Sequence, residues 1–148
     1  MLEGKVNVKK LDERAVVPFY GSDQAAGADL YAVLDENVSI KPGETIFVKT
    51  GLSIEIPSGY AGFIYARSGL ACKSGLAPAN KVGVIDADYR GEIMVALHNH
   101  SNTVKEISHG ERIAQLVIAP YYKANFCEVD ELNDTKRGVG GFGSTGTK

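Results

Sequence analysis

The sequence has no tryptophan, only two cysteines, and no apolar run long enough to cross a membrane. Cys72 and Cys127 have neither the spacing of metal ligands nor the density of a secreted disulfide scaffold, so we expect free thiols in a reducing cytoplasm. The first residues also lack the apolar segment of a secretion signal. These absences predict a cytoplasmic protein that does not interact with membranes.

An excess of charge of either sign is also missing. The 148 residues contain 16 basic and 18 acidic side chains, which gives a formal net charge of −2. No broad electrostatic attraction to DNA, RNA or anionic lipid follows from this balance, so we expect no nucleic-acid partner. A polyanionic ligand would have to be bound by a local cluster. Length and a hydrophobic content of 44% predict one domain with its own core.

Long helical patterns are absent, and short β-branched or aromatic runs dominate instead. Glycine- and proline-containing turns separate these runs, which predicts an all-β sandwich, jelly roll or barrel. One stretch, 68–75, predicts a short helix with a serine cap at its start and a glycine stop at its end. The clearest predicted strands are 46–50, 52–56, 61–65 and 113–118.

The composition changes after Leu132, so we predict a folded domain over 1–132 and a mobile glycine-rich tail over 133–148. The tail contains G-x-G-x-x-G, but no following helix is available for a dinucleotide-binding unit, and we reject that interpretation. Its glycine N–H groups, Ser144 and Arg137 can wrap a phosphate chain, while Phe142 offers a face to a base. A disordered tail without a ligand is the alternative.

The stretch Gly83–Glu92 has the most unusual chemistry in the chain, with two carboxylates, a phenol and a guanidinium between glycines. The strand-like runs on either side predict a β-hairpin with a charged tip. On an extended strand Asp86 and Asp88 would share a face, with Asp86 the more sheltered of the two. The hairpin could hold a small ligand against its backbone, or be only a solvated tip.

Other polar residues stand in positions that admit a functional and a structural interpretation. Arg67 precedes the predicted helix start and suits an anion, or is a surface arginine. Asp29 suits Mg²⁺ bound through water, or is a turn residue. Gln115 lies in an apolar strand and either orients water or simply faces outward. The motif formed by His98 and His100 lacks a third metal ligand, so we favour a solvated face.

Taken together, these stretches resemble the motifs of the homotrimeric dUTP pyrophosphatases, the dUTPases. The pair G-V-I-D-x-D-Y-R-G-E and R-G-x-G-G-F-G-S-T-G is highly specific for that family. One departure is Ala66, where the family often has proline. In chain order, the matching segments are 26–32, 67–71, 80–93, 110–116 and 137–146.

The resemblance implies roles for particular residues of these segments and for Met94, which follows the third. Asp86 would be the general base for the attacking water, Gln115 would help to hold water and nucleotide, and Asp29 would bind Mg²⁺ through waters. Tyr89 would pack under the deoxyribose. The phosphates would be bound by Arg67, Ser68, Gly69 and, from the tail, Arg137, Gly143 and Ser144. The uracil pocket would be formed by Asn80, Gly83, Val84, Ile85 and Met94, with Phe142 stacked over the base.

The implied reaction is hydrolysis of dUTP to dUMP and pyrophosphate, which limits uracil in DNA and supplies dUMP for dTMP synthesis. The implied fold is a jelly-roll-like β-barrel, with sites shared between the subunits of a trimer. A dCTP deaminase is disfavoured, because Ala96 and Leu97 stand where that family carries a catalytic glutamate. A non-catalytic nucleotide sensor is the remaining alternative, and it would have no use for Asp86, Arg67 and the complete tail together.

Overall fold

A computed structural model describes residues 4–146 of the chain. These residues form eleven strands and one short helix, and no helix among them has the length and apolar character needed to span a membrane. The elements are β1 (Asn7–Lys10), β2 (Ala28–Tyr31), β3 (Val38–Ile40), β4 (Thr45–Lys49), β5 (Leu52–Glu55), β6 (Tyr60–Tyr65), α1 (Ser68–Ser74), β7 (Leu76–Pro78), β8 (Gly83–Ile85), β9 (Met94–Asn99), β10 (Lys105–Ile107) and β11 (Arg112–Pro120).

The strands form four antiparallel sheets. The largest has the order β2-β11-β6-β8, a second has the order β4-β9-β7, and the pairs β1-β5 and β10-β3 complete the set. In the largest sheet Gln115 of β11 lies opposite Asp29 of β2 on one side and Tyr65 of β6 on the other. This register brings three separate parts of the sequence together at the middle strand.

Alternation of side chains along the strands produces a common core between the sheets. In β9, for example, Val95, Leu97 and Asn99 are buried while Met94 faces outward, because successive strand residues point to opposite faces. The main core cluster consists of Leu30, Ala32, Ile40, Val48, Ile54, Ile56, Ile64, Leu76, Ile85, Ile93, Val95, Leu97, Ile107, Ile113, Ala114 and Leu116.

The prediction of an all-β fold with one short helix is confirmed. Gly75 ends α1 as predicted: it has φ of 71° and donates its N–H to carbonyls of the last turn. The predicted serine cap is wrong, because Ser68 is already the first helical residue and Arg67 occupies the cap position. Arginine has no side-chain acceptor, so it cannot bond the free N–H groups of the first turn.

The predicted β-hairpin around Gly83–Glu92 is also wrong. Strand β8 pairs with β6, whereas β9 pairs with β4 and β7. The residues between β8 and β9 therefore connect two sheets. Local alternation identified both strands but contains no information about which distant strand each one joins.

Among the described residues, the chain beyond the last strand forms no further helix or strand. Strand β11 ends at Pro120, and residues 121–139 are exposed throughout. Tyr122, Phe126 and Leu132 are each at least 87% exposed, so these three side chains bury almost none of their surface.

Candidate active site

The connection between β8 and β9 begins with a turn. The N–H of Tyr89 donates to the carbonyl of Asp86 at 3.1 Å, which closes a turn over Asp86–Tyr89. The expectation that Asp86 and Asp88 share one face of an extended strand is therefore wrong. Both carboxylates are exposed.

The second half of this connection is tied to β5 and to the end of β4. The hydroxyl of Thr50 donates to the carbonyl of Ile93 at 2.6 Å, and the hydroxyl of Ser53 donates to the carbonyl of Arg90 at 2.6 Å. Thr50 is fully buried, so its bond is shielded from competing water. These bonds fix the backbone on which the preceding turn rests.

Tyr89 is held by its own phenol group. Its hydroxyl donates to the carbonyl of Glu92 at 2.9 Å, which folds the ring across Gly91. A Cβ at position 91 would meet the phenol oxygen at 2.4 Å, a separation that real Cβ atoms do not show. Glycine at position 91 is thus required for this orientation of Tyr89.

A pocket of about 220 Å³ lies beside this connection, lined by strands of the largest sheet and of the sheet β4-β9-β7. Phe47 is one of its walls and is 72% exposed, although the sequence motifs gave no reason to select it. An adjoining groove is lined by Ala61 and Phe63 of β6 and by residues 121–124. Asp86 lines both the pocket and this groove, whereas Asp88 lines only the groove. The pocket is lined by Phe47, Ile64, Asn80, Gly83, Val84, Ile85, Asp86, Tyr89, Glu92, Ile93 and Met94.

A second group of polar residues lies on the largest sheet, at the end of β6. The Nε of Arg67 donates to Oδ1 of Asp29 at 2.8 Å, and Nη1 of Arg112 donates to Oδ2 of Asp29 at 3.3 Å. Both oxygens of this carboxylate therefore bond to guanidinium groups. Arg112 was not identified from the sequence, although it lies in the motif-like segment 110–116. A charged residue at the start of a predicted strand could have marked it as a candidate site residue.

Gln115 completes this group from the neighbouring position on β11. Its Nε2 donates to the carbonyl of Ala66 at 2.8 Å, immediately before Arg67. Its Oε1 lies against Gly27, where an added Cβ would approach that oxygen to 2.3 Å. Gly27 therefore provides the space that the amide of Gln115 occupies. Ser68 and Gly69 follow Arg67 as exposed residues at the start of α1.

Among residues 4–146, no group of three or more histidine, cysteine, aspartate or glutamate side chains is arranged to hold a metal ion. The side chain of Asp29 is 13% exposed and already bonds two arginines. Its remaining lone pairs are therefore better suited to accept a hydrogen bond from a metal-bound water than to coordinate the metal directly. The residues thus fit an ion that takes most of its ligands from a substrate and from water.

The rings of His98 and His100 lie 4.6 Å apart, edge to face. Nδ1 of His98 forms a hydrogen bond with the hydroxyl of Thr45 at 2.7 Å. Desolvation of its ring lowers the pKa of His100, and the charges of His98 and Lys81 lower this pKa further. His98 is half-buried and His100 is exposed.

The tail residues lie apart from both groups. Arg137 donates from Nε to the carbonyl of Gly140 at 2.8 Å, within the tail itself. Phe142 is fully exposed and has a positive φ of 50°, and Gly143 and Ser144 continue the exposed run. The described part of the tail contributes no residue to the pocket lining.

Comparison with known proteins gives the same family by three routes. The dUTPase family model matches residues 13–146. The chain is 54% identical to a deoxyuridine 5'-triphosphate nucleotidohydrolase of Nautilia profundicola over 142 residues, 96% of this chain and 99% of the relative. It is 51% identical to the protein of that name from a Hydrogenobaculum species, over 97% of this chain and 99% of the relative.

Solved structures agree with these sequence relatives. A variant of the Staphylococcus bacteriophage 80alpha dUTPase with dUpNHpp superposes with a TM-score of 0.89 and is 29% identical, covering 98% of this chain and all of the phage chain. This likeness confirms the predicted jelly-roll-like fold of the dUTPases. Because the family model spans most of the chain and the relatives match over nearly their whole length, the chain belongs to the dUTPase family.

Proposed function

We propose that this dUTPase hydrolyses dUTP to dUMP and pyrophosphate by in-line attack of water on the α-phosphorus, with Asp86 as the general base. The observation that carries the proposal is the position of Asp86, an exposed carboxylate on the wall of the 220 Å³ pocket that Tyr89 also lines. A base at the mouth of a pocket can accept a proton from a water aimed at a bound ligand.

The pocket binds the uracil ring. Its volume of about 220 Å³ is smaller than the roughly 300–1,000 Å³ of a site for a drug-sized ligand, so it suits one pyrimidine ring and not a whole nucleotide. Strand β8 is the terminal strand of its sheet, which leaves one backbone edge open to the pocket. The base is read through that edge at Gly83, Val84 and Ile85, with Asn80 and Met94 beside it.

Tyr89 selects deoxyribose. Its ring lines the pocket, and the bond from its hydroxyl to Glu92 holds the ring in one orientation. A sugar packed on that ring leaves no room for a 2′-hydroxyl group. Steric selection of this kind is modest, about 1–3 kcal/mol for a hydrophobic contact.

The phosphates lie against Arg67, Ser68 and Gly69, with Gln115 holding water and nucleotide. The carboxylate of Asp29 supports this arrangement because it holds the Arg67 guanidinium at 2.8 Å. Asp29 would hold Mg²⁺ through water, and the ion would supply positive charge to the phosphate oxygens. The protein supplies position and charge, which is most of what phosphoryl transfer requires.

The site is completed by the tail of another subunit of a homotrimer. Arg137, Phe142, Gly143 and Ser144 are exposed and outside the pocket of their own chain, as expected for residues that act elsewhere. In the neighbouring site Phe142 stacks on the base, while Arg137, Gly143 and Ser144 cover the phosphates.

The test is a panel of deoxynucleoside triphosphates and UTP, with release of pyrophosphate and of ammonia measured in parallel. We expect pyrophosphate from dUTP, little from the other nucleotides, and no ammonia. Ammonia from dCTP would indicate a deaminase instead. Tight binding of dUTP without pyrophosphate release would indicate a sensor. Either result would refute the proposal.

A further inference from the structure

Arg90 follows the turn that carries Asp86, and its side chain bonds back to that turn. Its Nη1 donates to the carbonyl of Ala87 at 2.7 Å and to the carbonyl of Tyr89 at 3.0 Å. A single nitrogen with two hydrogens therefore joins two peptide groups of the same turn. These bonds come from a charged donor and add to the bond between the N–H of Tyr89 and the carbonyl of Asp86.

Arg90 is also anchored to the paired strands β1 and β5. Its carbonyl accepts a bond from the hydroxyl of Ser53, which is only 8% exposed, at 2.6 Å. Its Nη2 lies 3.5 Å from Oε1 of Glu55, and Oε2 of Glu55 accepts a bond from Nδ2 of Asn7 at 2.7 Å. The main chain and the side chain of this arginine thus both connect the turn to the β1-β5 pair.

Arg90 does not line the pocket beside the turn, although Asp86 and Tyr89 do. It lines a separate open cleft on the β1-β5 pair. A ligand in the pocket therefore contacts the turn itself, whereas Arg90 contacts the backbone of the turn. The cleft is lined by Asn7, Val8, Lys9, Ser53, Ile54, Glu55 and Arg90.

The carboxylate of Asp86 needs such support because its side chain is exposed. Packing does not hold an exposed side chain, so its position depends on the backbone that carries it. A general base must lie within about 2.6–3.2 Å of the proton donor, and misplacement of a reacting group by about 1 Å costs on the order of 10²-fold in rate.

We propose that Arg90 is a positioning residue for catalysis, which holds the backbone of the turn so that Asp86 faces the attacking water. The inference rests on the proposed function, because it takes Asp86 as the general base. Arg90 contacts no part of the substrate in this role. It acts through the carbonyls of Ala87 and Tyr89, and Glu55 and Ser53 keep it in place.

The test measures kcat for dUTP and the affinity for dUpNHpp in wild-type and Arg90→Met protein. Methionine keeps a long apolar side chain but has no donor. We expect kcat to fall by about 10- to 100-fold, while the affinity changes by less than about threefold. Arg90→Lys should recover part of kcat, because lysine keeps the charge and its donors.

A second measurement combines Arg90→Met with Asp86→Asn. If Arg90 acts by placing the base, its removal should change the kcat of the Asp86→Asn protein by less than about threefold, because no base remains to be placed. An arginine that only stabilised the fold would lower kcat by the same factor in both backgrounds. Urea unfolding checks that each variant is folded. Should Arg90→Met be unfolded, Arg90→Lys in the same two backgrounds decides the question.

Arg14→Met is the matched control. Arg14 is similarly exposed, at 44% against 52% for Arg90, and it too donates to a carbonyl, that of Leu34, and pairs with a carboxylate. It should leave kcat unchanged. A wild-type kcat in Arg90→Met, or an equal loss in both backgrounds, would overturn the inference. A wild-type kcat in Asp86→Asn alone would instead remove the proposed base, so the two failures are distinguishable.

Discussion

Replacement of Gly91 by alanine tests the geometry of the pocket without touching a chemical group. The new Cβ would lie 2.4 Å from the phenol oxygen of Tyr89 and 2.6 Å from the adjoining ring carbon. The ring must therefore move, and its bond to Glu92 at 2.9 Å is lost. Gly91 has no positive φ, so the alanine backbone itself is not strained.

The expected loss of stability is small and the expected loss of selectivity is larger. A neutral hydrogen bond contributes about 0.5–1.5 kcal/mol, and overpacking costs about 1–3 kcal/mol when the displaced group is confined. Tyr89 is 44% exposed and can rotate toward solvent, so we expect a total near 1 kcal/mol. The preference for dUTP over UTP should fall by about tenfold or more, because the displaced ring no longer excludes the 2′-hydroxyl group.

The assay is urea unfolding together with kcat/KM for dUTP and UTP. Gly21→Ala is the control, since a Cβ there meets nothing within 4 Å. A Gly91→Ala protein with the wild-type dUTP/UTP ratio would show that the orientation of Tyr89 does not determine sugar selection. Loss of selectivity in the Gly21→Ala protein would show that the effect is not specific to Tyr89.

Three further predictions concern the base, the tail and the histidine pair. Asp86→Asn should lower kcat by about 10²- to 10⁴-fold with little change in dUTP affinity, while Asp88→Asn should lower kcat much less. A larger loss of kcat in Asp88→Asn than in Asp86→Asn would assign the base to Asp88. Removal of the chain from Arg137 onward should leave a folded trimer with little activity, and refolding it together with Asp86→Asn chains should restore some intact sites, unless sites are not shared. The pKa of His100 is lowered in the folded state, so its contribution to stability should be present above the ordinary histidine pKa of about 6.5 and be lost as pH falls through the lowered pKa. His100→Gln should therefore reduce the dependence of the thermal unfolding midpoint on pH in this range. An unchanged pH dependence would contradict the assignment.

Sequence patterns predicted features that are determined locally. The alternation of 61–65 and 113–118 identified β6 and β11, and Gly75 marked the end of α1 because few other residues adopt its backbone conformation readily. The motif-like segments also selected most residues of the pocket, including Asn80 and Tyr89.

Features that depend on distant partners could not be predicted in this way. The sheet that β9 joins is determined by β4 and β7, and nothing within 94–99 specifies either partner. The pair between Asp29 and Arg112 follows from the register of β2 on β11. Phe47 follows an ordinary strand pattern, and only the packing of two sheets makes it a pocket wall.

The position of β11 between β2 and β6 has a consequence for how activity appears during folding. Asp29, Gln115 and Tyr65 become neighbours only after the long loops between their strands have closed, and loop closure precedes the energetic gain of such contacts. A chain still emerging from the ribosome before β11 has neither Gln115 nor the strand that joins β2 to β6. In refolding, enzyme activity should therefore return with the slowest structural phase, after most short-range turns have formed.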